Sequence, residues 1–277
     1  MNIRSLYAAT AAAGLVLTLA ACGSDDSNGS GDGDASGLDL VTDGTLTVCS
    51  DVPYAPFEDF DESSPSGFTG FDIDIVQAIA DGLELDLVVK DSSFDGLQSG
   101  LALNAGDCDL AASAMTITEE RKANLAFSEG YYDSLQSLLV PADSGIASIA
   151  DLEGKRVGVQ QGTTGEAYAN ENVSGAEIVS FPSDAELYQA LQAGQVDALL
   201  QDLPVNLTHT TDGRYTIVEE YDTDETYGLA MKKDNTALVE AVNEQLAVLR
   251  DSGEYDELYD TYFSEEAAQD AAESSDG

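Results

Sequence analysis

The stretches LQSGLALNAGDCDLAAS, residues 97–113, and LYQALQAGQVDALLQD, residues 187–202, share one layout. In each, an amphipathic segment ends in a glycine, and after two intervening residues an aspartate precedes a short apolar run. Glycine is common just after a helix, and a short apolar run between turn residues is typical of a buried strand. The echo predicts two similar α/β units in one chain, although any two β-α-β segments share part of this layout.

Short apolar runs alternate with amphipathic segments on both sides of these stretches, which is the pattern of βαβ units. Strands are predicted at 46–51, 85–91, 107–115, 155–161, 176–181 and 196–202, and helices at 72–83, 95–106, 164–172, 184–194, 235–253 and 254–263. A strand at 133–144 is expected to leave the first unit, and one at 225–234 to return to it. Two crossings between the units predict a hinge over a cleft that closes around a ligand.

The sequence therefore predicts an α/β fold of two lobes joined by a two-segment hinge. Residues 38–139 and 228–264 are assigned to lobe 1, and residues 140–227 to lobe 2. The final segment, 265–277, is small and acidic, and we expect it to be disordered.

The N-terminal segment is typical of an export signal. Residues 1–21 carry one positive charge, Arg4, and then an apolar run that is too short to span a membrane with confidence. LAAC, residues 19–22, resembles the lipobox of bacterial lipoproteins, which predicts lipid modification of Cys22; the alternative is an ordinary cleaved signal. The Gly/Ser/Asp-rich segment 22–37 is expected to be a flexible linker that holds the domain outside the cell membrane.

Charge narrows the possible partners. The chain has 10 Lys+Arg against 53 Asp+Glu, a formal net charge of -43. Nucleic acid and anionic lipid surfaces are therefore poor partners, and most acidic residues are expected to form a solvated surface. We expect no metal and no cofactor, because the chain has no His/Cys cluster and no calcium loop with its final Glu.

Two cysteines, Cys49 and Cys108, lie within the predicted strands 46–51 and 107–115. Export permits a disulfide, but if those strands are parallel neighbours the two residues are offset by three or four positions. At roughly 3.3 Å per residue, that offset exceeds the reach of a disulfide. The prediction is two buried thiols.

Ligands of open α/β sheets bind beyond the carboxyl ends of the strands. At one such end, Thr116 and Arg121 offer a hydroxyl and a planar cation that suit a carboxylate, and Thr118 is a helix-start residue that would place Arg121 in the first turn. In the other unit, the free backbone N–H groups of Gly162, Thr163 and Thr164 are expected at the start of a helix, where an anion is also favoured. Each feature alone has a structural alternative; Arg121 could form an isolated ion pair.

Asp202 ends a predicted strand and can accept hydrogen bonds from an ammonium group, or it could simply cap a helix before Pro204. A carboxylate site and an ammonium site within a few ångströms describe an α-amino acid. The coincidence of these groups at strand ends is what favours a binding cleft.

The motifs together resemble a known family, the extracytoplasmic solute-binding proteins of polar amino-acid ABC transporters. The resemblance covers about residues 46–264 and is carried by SDVPYAPFE, GFTGFDIDIVQAIA, FDGLQSGL, MTITEERKANLAFSEGYYDS, GKRVGVQQGTTGEAY, VDALLQDLPV and YGLAMKKD. It implies the two-lobed periplasmic-binding-protein fold (type II) and a monomer that binds an amino acid and delivers it to a membrane permease.

The resemblance also implies roles for individual residues. Arg121 and Thr116 would hold the ligand carboxylate, assisted by the backbone amide of Thr164, while Asp202, the Ala114 carbonyl and the Thr116 hydroxyl would hold the ammonium group. The remaining positions that match the family's side-chain pocket are Asp51, Tyr54, Phe94, Ser113 and Gln160. Tyr54 and Phe94 would sandwich the side chain, or they could be core aromatics. Asp51 and this aromatic pair favour a polar or cationic side chain, without ranking glutamine, arginine or cystine.

We expect binding without catalysis, because Arg121, Thr116 and Asp202 are present with no additional catalytic group; two other functions that share this fold are kept as alternatives. A secreted enzyme similar to cyclohexadienyl dehydratases would need a positioned acid or base, and the single histidine, His209, is expected in an exposed loop. A ligand-sensing subunit of a receptor is the second alternative.

Overall fold

The protein was analysed as a computed structural model, which describes residues 37–264. The predicted signal peptide, the Cys22 lipidation site, nearly all of the linker and the acidic tail lie outside these residues.

Helices and strands alternate along the chain as the sequence predicts. The first part contains β1 (Thr45–Ser50), β2 (Asp59–Phe60), β3 (Phe68–Thr69), α1 (Phe71–Gly82), β4 (Asp86–Asp91), α2 (Phe94–Gln98), α3 (Leu101–Ala105), β5 (Leu110–Ala111), α4 (Glu119–Lys122) and β6 (Leu125–Phe127). The middle contains β7 (Tyr132–Pro141), a 3₁₀ turn (Ile149–Leu152), β8 (Arg156–Gln160), α5 (Thr164–Asn172), β9 (Glu177–Phe181), α6 (Asp184–Gln192), β10 (Ala198–Asp202), α7 (Leu203–Thr208) and β11 (Tyr215–Tyr227). The last part contains β12 (Ala230–Lys232), α8 (Thr236–Ser252) and α9 (Glu254–Phe263).

Two five-stranded sheets form two lobes. The order in the first sheet is β4-β1-β5-β12-β6, and the order in the second is β11-β7-β10-β8-β9. In the first sheet β1 runs parallel to β4 and β5, and in the second β8 runs parallel to β9 and β10. The chain passes from the first sheet to the second before β7 and returns after β11, so the fold is two-lobed with a two-segment hinge.

Apolar periodicity builds the core of the first lobe. Helix α1 buries Ile75 and Ile79 on the side that faces β1, and α8 adds Leu238 and Leu246 to the same cluster. Helix α1 begins after Gly70, whose φ is 127°. A Cβ at Gly70 would lie 2.2 Å from the carbonyl oxygen of Phe57. Only glycine allows that close approach.

The predicted helix 95–106 is wrong in one respect, because the structure splits it into α2 and α3. Gly100 separates them with φ 77°, a left-handed conformation that interrupts a right-handed helix. The predicted strand 107–115 is also shorter than expected, since β5 contains only Leu110 and Ala111.

The shortness of β5 corrects the prediction of two free thiols: Cys49 and Cys108 form a disulfide, with their Cα atoms 5.8 Å apart. Cys49 pairs in register with Ala111, which would put an extended Cys108 three residues away. Cys108 instead lies before β5, where the chain turns. The first residue to join the strand ladder is Asp109, whose N–H donates to the Thr47 carbonyl at 2.8 Å. The offset calculated for ideal strands therefore does not apply.

None of the helices within residues 37–264 combines the length and the apolar composition that crossing a bilayer requires.

Reducing the disulfide should lower the free energy of unfolding by about 4 kcal/mol, because it closes a loop of 59 residues in the unfolded chain. Urea unfolding with and without a reductant measures this. A Cys49→Ala/Cys108→Ala variant is the control and should not respond to the reductant. An unchanged midpoint for the wild-type chain would contradict the expected contribution.

Candidate functional site

A small cavity of about 10 Å³ lies where the two lobes face each other. Residues from both lobes, in the strands and in the loops and helices that follow them, line it: Asp51, Tyr54, Phe94, Ser113, Ala114, Thr116, Arg121, Gln160, Thr163, Thr164 and Asp202. The eleven residues chosen from the sequence are thus brought together around one space.

Arg121 is held in place by its own helix and by both lobes. As predicted, Thr118 caps α4, and its hydroxyl accepts the backbone N–H of Arg121 at 3.1 Å. The guanidinium donates from Nη1 to the Thr116 carbonyl at 2.8 Å and from Nη2 to the Gly162 carbonyl, in the other lobe, at 3.0 Å. It also lies over the ring of Phe94, 5.1 Å from the centroid.

The Arg121 side chain is buried without an anionic partner. It is 5% exposed, and no carboxylate of residues 37–264 lies within 4.0 Å of its guanidinium nitrogens. Burial lowers its pKa to about 10, while the more distant charges of Asp202 and Glu225 oppose that shift. The guanidinium is therefore charged at neutral pH, and the isolated ion pair considered as its alternative role is not formed.

The start of α5 forms the facing wall. Thr163 caps this helix by accepting the N–H of Glu166 at 3.1 Å and donating to the Gln160 carbonyl at 2.8 Å. The prediction of a free amide at Gly162 is wrong, because the Glu166 carboxylate accepts that N–H at 2.7 Å. Thr164 is the first helical residue, so its N–H has no acceptor within the helix.

Asp202 is a buried carboxylate that receives three hydrogen bonds. Its Oδ2 accepts from the hydroxyls of Tyr54 at 2.8 Å and Tyr227 at 2.6 Å, and its Oδ1 accepts from the Gln136 amide at 2.5 Å. It is 7% exposed and forms no ion pair with any cation of residues 37–264. Burial, and then the charge of Glu225, raise its pKa to about 6. Its side chain does not cap α7, the alternative considered from the sequence.

Asp51 and Gln160 join the lobes on another wall of the cavity. The Gln160 amide donates to Asp51 Oδ2 at 2.6 Å. The Ser113 hydroxyl accepts the Asp51 N–H at 3.0 Å and donates to Glu58 at 2.6 Å. Burial raises the pKa of Asp51 to about 7, although the bond from Gln160 opposes the shift. Burial and the neighbouring Asp72 also raise the pKa of Glu58 above its usual range.

Tyr54 and Phe94 line the cavity and also pack as core aromatics. Tyr54 packs in the core beside Phe57 while its hydroxyl reaches Asp202. Phe94 belongs to the cluster around the disulfide and supports the Arg121 guanidinium.

Ala114 adopts a left-handed conformation, with φ 43°, at the turn that follows β5. Asp72, at the start of α1, accepts the Ala114 N–H at 2.8 Å and the Tyr131 hydroxyl at 2.7 Å. Asp72 is fully buried, and burial raises its pKa. Asp72 therefore stabilises the turn that carries the predicted ammonium-binding carbonyl. The sequence pattern predicts this residue only as part of an amphipathic helix.

Glu225 and Gln136 are further residues that sequence reasoning missed. Glu225 Oε2 accepts from the hydroxyls of Thr116 and Thr164, each at 2.8 Å, and Oε1 accepts from Thr223 at 2.8 Å. The Gln136 amide nitrogen lies 3.2 Å from Glu225 Oε1. Both residues come from the hinge strands, and the hydrophobic pattern of those strands contains no signal for them.

His209 is not an exposed loop residue, which corrects that prediction. It follows α7, its side chain is only 13% exposed, and its ring stacks on Tyr188 with centroids 3.8 Å apart. It lies outside the cavity lining. Among residues 37–264, no group of His, Cys, Asp and Glu side chains is arranged to hold a metal ion.

The fold and the cavity place this chain in a known family. Residues 46–265 match the model of the bacterial extracellular solute-binding proteins, family 3. The chain belongs to that family.

Three relatives illustrate the similarity. A probable histidine-binding protein of Neisseria gonorrhoeae is 32% identical, over 98% of this chain and 100% of the relative. An ABC transporter glutamine-binding protein of Bacillus subtilis is 34% identical, over 92% of this chain and 95% of the relative. Among solved structures, an ancestral arginine-binding protein bound to glutamine is 37% identical with a TM-score of 0.75, covering 81% of this chain and 100% of the other.

Replacing Asp72 with alanine should lower the free energy of unfolding by about 2 kcal/mol, because the buried Ala114 N–H and Tyr131 hydroxyl lose their acceptor. Urea denaturation measures the change. Asp81→Ala, on the exposed side of the same helix, is the matched control and should change stability by less than about 0.5 kcal/mol. Equal stability of the two variants would show that Asp72 does not support the turn.

Proposed function

We propose that this protein binds an amino acid between its two lobes and delivers it to the permease of an ABC transporter. The observation that carries this proposal is a pair of buried, opposite charges, Arg121 and Asp202, which line one cavity without an ion-pair partner among residues 37–264. Buried charges are costly unless they are paired, and a zwitterion would pair both at once.

Arg121 and the start of α5 are the proposed carboxylate site. The two observed guanidinium hydrogen bonds use one N–H of each terminal nitrogen and leave other donors of the fork for a ligand. Thr164 would add its N–H, and Thr163 lies beside it at the helix start, where the helix dipole favours an anion.

Asp202, the Ala114 carbonyl and the Thr116 hydroxyl oxygen are the proposed ammonium site. All three belong to the cavity lining. Asp202 keeps its carboxylate orientation through the three donors described above, so it need not reorganise when a ligand arrives. Pre-organisation of this kind lowers the cost of binding.

The charges around the cavity favour a ligand with a cationic side chain. Asp51, Asp202 and Glu225 are buried carboxylates, and Arg121 is the cation that accompanies them within residues 37–264. The ammonium and carboxylate ends of the ligand would engage Asp202 and Arg121, which leaves Asp51 for the side chain. Tyr54 and Phe94 offer aromatic faces for a cation or a planar group. We therefore place arginine and related cationic amino acids before glutamine or histidine, and we expect acidic amino acids to be excluded.

Hydrogen bonds already cross the cleft. Tyr54 donates to Asp202, Gln160 donates to Asp51, and Arg121 donates to the Gly162 carbonyl. These bonds support closure by bending of the hinge strands β7 and β11. The proposed lobe boundaries, 139/140 and 227/228, lie within or at the end of these strands, with lobe 1 comprising 38–139 and 228–264 and lobe 2 comprising 140–227. The closed form would be the state that the permease recognises.

The proposal extends to the location and state of the protein. Family membership supports an extracytoplasmic protein. We propose that the chain is exported by its signal segment, 1–21, anchored to the outer face of the membrane through lipidated Cys22, and active as a monomer. We further propose binding without chemical conversion; turnover of prephenate or arogenate would instead indicate a dehydratase.

Replacing Arg121 with alanine should weaken amino-acid binding about 100-fold, because the ligand carboxylate would be buried without its cation. Calorimetry with L-arginine and L-glutamine measures the effect. Arg121→Lys should recover only part of the affinity, since an ammonium group lacks the guanidinium fork. Arg214→Ala, at an exposed arginine of the second lobe, is the control and should bind like the wild type. Wild-type affinity in Arg121→Ala would refute the proposed carboxylate site.

Preference for arginine over glutamine should increase about tenfold between pH 6 and pH 8. The pKa of Asp51 is raised to about 7, so its carboxylate becomes largely ionised over this range and can then pair with a guanidinium. Asp202, with a pKa of about 6, affects both ligands equally, and the ratio of their affinities cancels its contribution. Asp51→Asn should make the ratio independent of pH. A constant ratio in the wild type would argue against a side-chain role for Asp51.

A further inference from the structure

Glu225 contacts two residues of the cavity lining, although it belongs neither to the lining nor to the binding set chosen from the sequence. It is 7% exposed and comes from β11, close to the point where the chain returns to the first lobe. One of its oxygens accepts from Thr116 in the first lobe and Thr164 in the second, at 2.8 Å in both cases. The same carboxylate oxygen thus ties the two walls of the cavity together.

The contact with Glu225 determines which hydrogen bonds the two threonine hydroxyls can still make. A threonine hydroxyl has one hydrogen to donate and two lone pairs that accept, and an ionised carboxylate can only accept. The Thr116 and Thr164 hydroxyls therefore donate their single hydrogens to Glu225. Neither hydroxyl can then donate to the carboxylate of a ligand, but both can accept from an ammonium group.

We propose that Glu225 is a positioning residue that decides which end of an amino acid binds beside Thr116. By holding the hydroxyl hydrogens of Thr116 and Thr164, it presents their oxygens to the cavity as acceptors. The ammonium group is thereby directed toward Thr116 and Asp202, and the carboxylate toward Arg121. This inference rests on the proposed function of the same cavity.

Gln136 links Glu225 to Asp202 and supports the same assignment. Its amide nitrogen has two hydrogens but three carboxylate oxygens nearby, Asp202 Oδ1 at 2.5 Å and the two oxygens of Glu225 at 3.2 and 3.3 Å. Neither carboxylate is paired with a cation of residues 37–264, so their shared surroundings have a deficit of positive charge. A further positive group with several N–H bonds, such as an ammonium, matches that deficit.

The assignment is tested with ligands that differ only in the α-amino group. Wild type, Glu225→Gln and the control Glu220→Gln, which changes an exposed position of the same strand, are titrated with L-arginine and with 5-guanidinopentanoate, its analogue without that group. In Glu225→Gln the side chain is neutral and its amide can donate to the hydroxyls. Affinity for L-arginine should fall at least tenfold and affinity for the analogue less than threefold, with Glu220→Gln unchanged for both.

A second variant keeps the test decisive if Glu225→Gln folds poorly. Thr116→Val removes the hydroxyl that Glu225 orients and should cause the same selective loss for L-arginine; circular dichroism checks the fold of each variant. Equal losses for both ligands, or no loss for L-arginine, would overturn the role of Glu225. A wild-type chain that binds neither L-arginine nor L-glutamine would instead overturn the proposed function, and this inference with it.

Discussion

A buried guanidinium that, within residues 37–264, donates hydrogen bonds only to carbonyl oxygens is the feature on which the rest of the cleft depends. Removing a charge from water costs several kcal/mol, and the carbonyl dipoles around Arg121 return only part of that cost. The surrounding structure holds Arg121 through the Thr118 hydroxyl at its backbone N–H and through the Phe94 ring and the Gly162 carbonyl at its guanidinium. Asp202 is likewise a buried charge, of opposite sign, whose hydrogen bonds come from neutral groups. Both charges line the cavity, and within residues 37–264 neither is paired with an opposite charge.

The cleft is also acidic overall, but its carboxylates differ from those of the acidic surface in their exposure to solvent. Surface carboxylates are solvated and screened, so each one affects binding only weakly. Asp51 and Asp202 are desolvated, and their raised pKa values record the cost of keeping them charged without a cation nearby. A chain with a formal net charge of -43 thus contains two sets of carboxylates, a solvated set on the surface that favours solubility and a desolvated set in the cleft.

Local sequence patterns predict the main helices and strands and place Thr116, Arg121 and Asp202 at strand ends, whereas most of the remaining cavity lining was chosen through the family resemblance. Arg121 could be found from a helix-start residue three positions earlier, and Asp202 from the end of an apolar run. Gln136 and Glu225 could not, since they are 89 residues apart and meet only when the hinge strands pair. Asp72 likewise reaches a turn 42 residues away. The cysteine prediction failed for a related reason: it assumed an extended strand from residue 107, whereas β5 begins at Leu110.

The hinge strands determine how the cleft can open. Strands β7 and β11 pair as an antiparallel ribbon with two register shifts, between Ile217 and Glu219 and between Tyr221 and Glu225, and Tyr132 lies opposite Tyr227 at the end nearest the first lobe. Sliding one crossing past the other would break this ladder, whereas bending both strands together would keep it, with the second lobe moving about the ribbon. Asp202 lies one strand from β7, whereas Gln160 lies two strands away, roughly 10 Å at the usual spacing. The distance that a residue moves on closure grows with its distance from the hinge strands. When a ligand enters, the wall that would bind its amino group would therefore already be almost in place, and the wall around its side chain would close last.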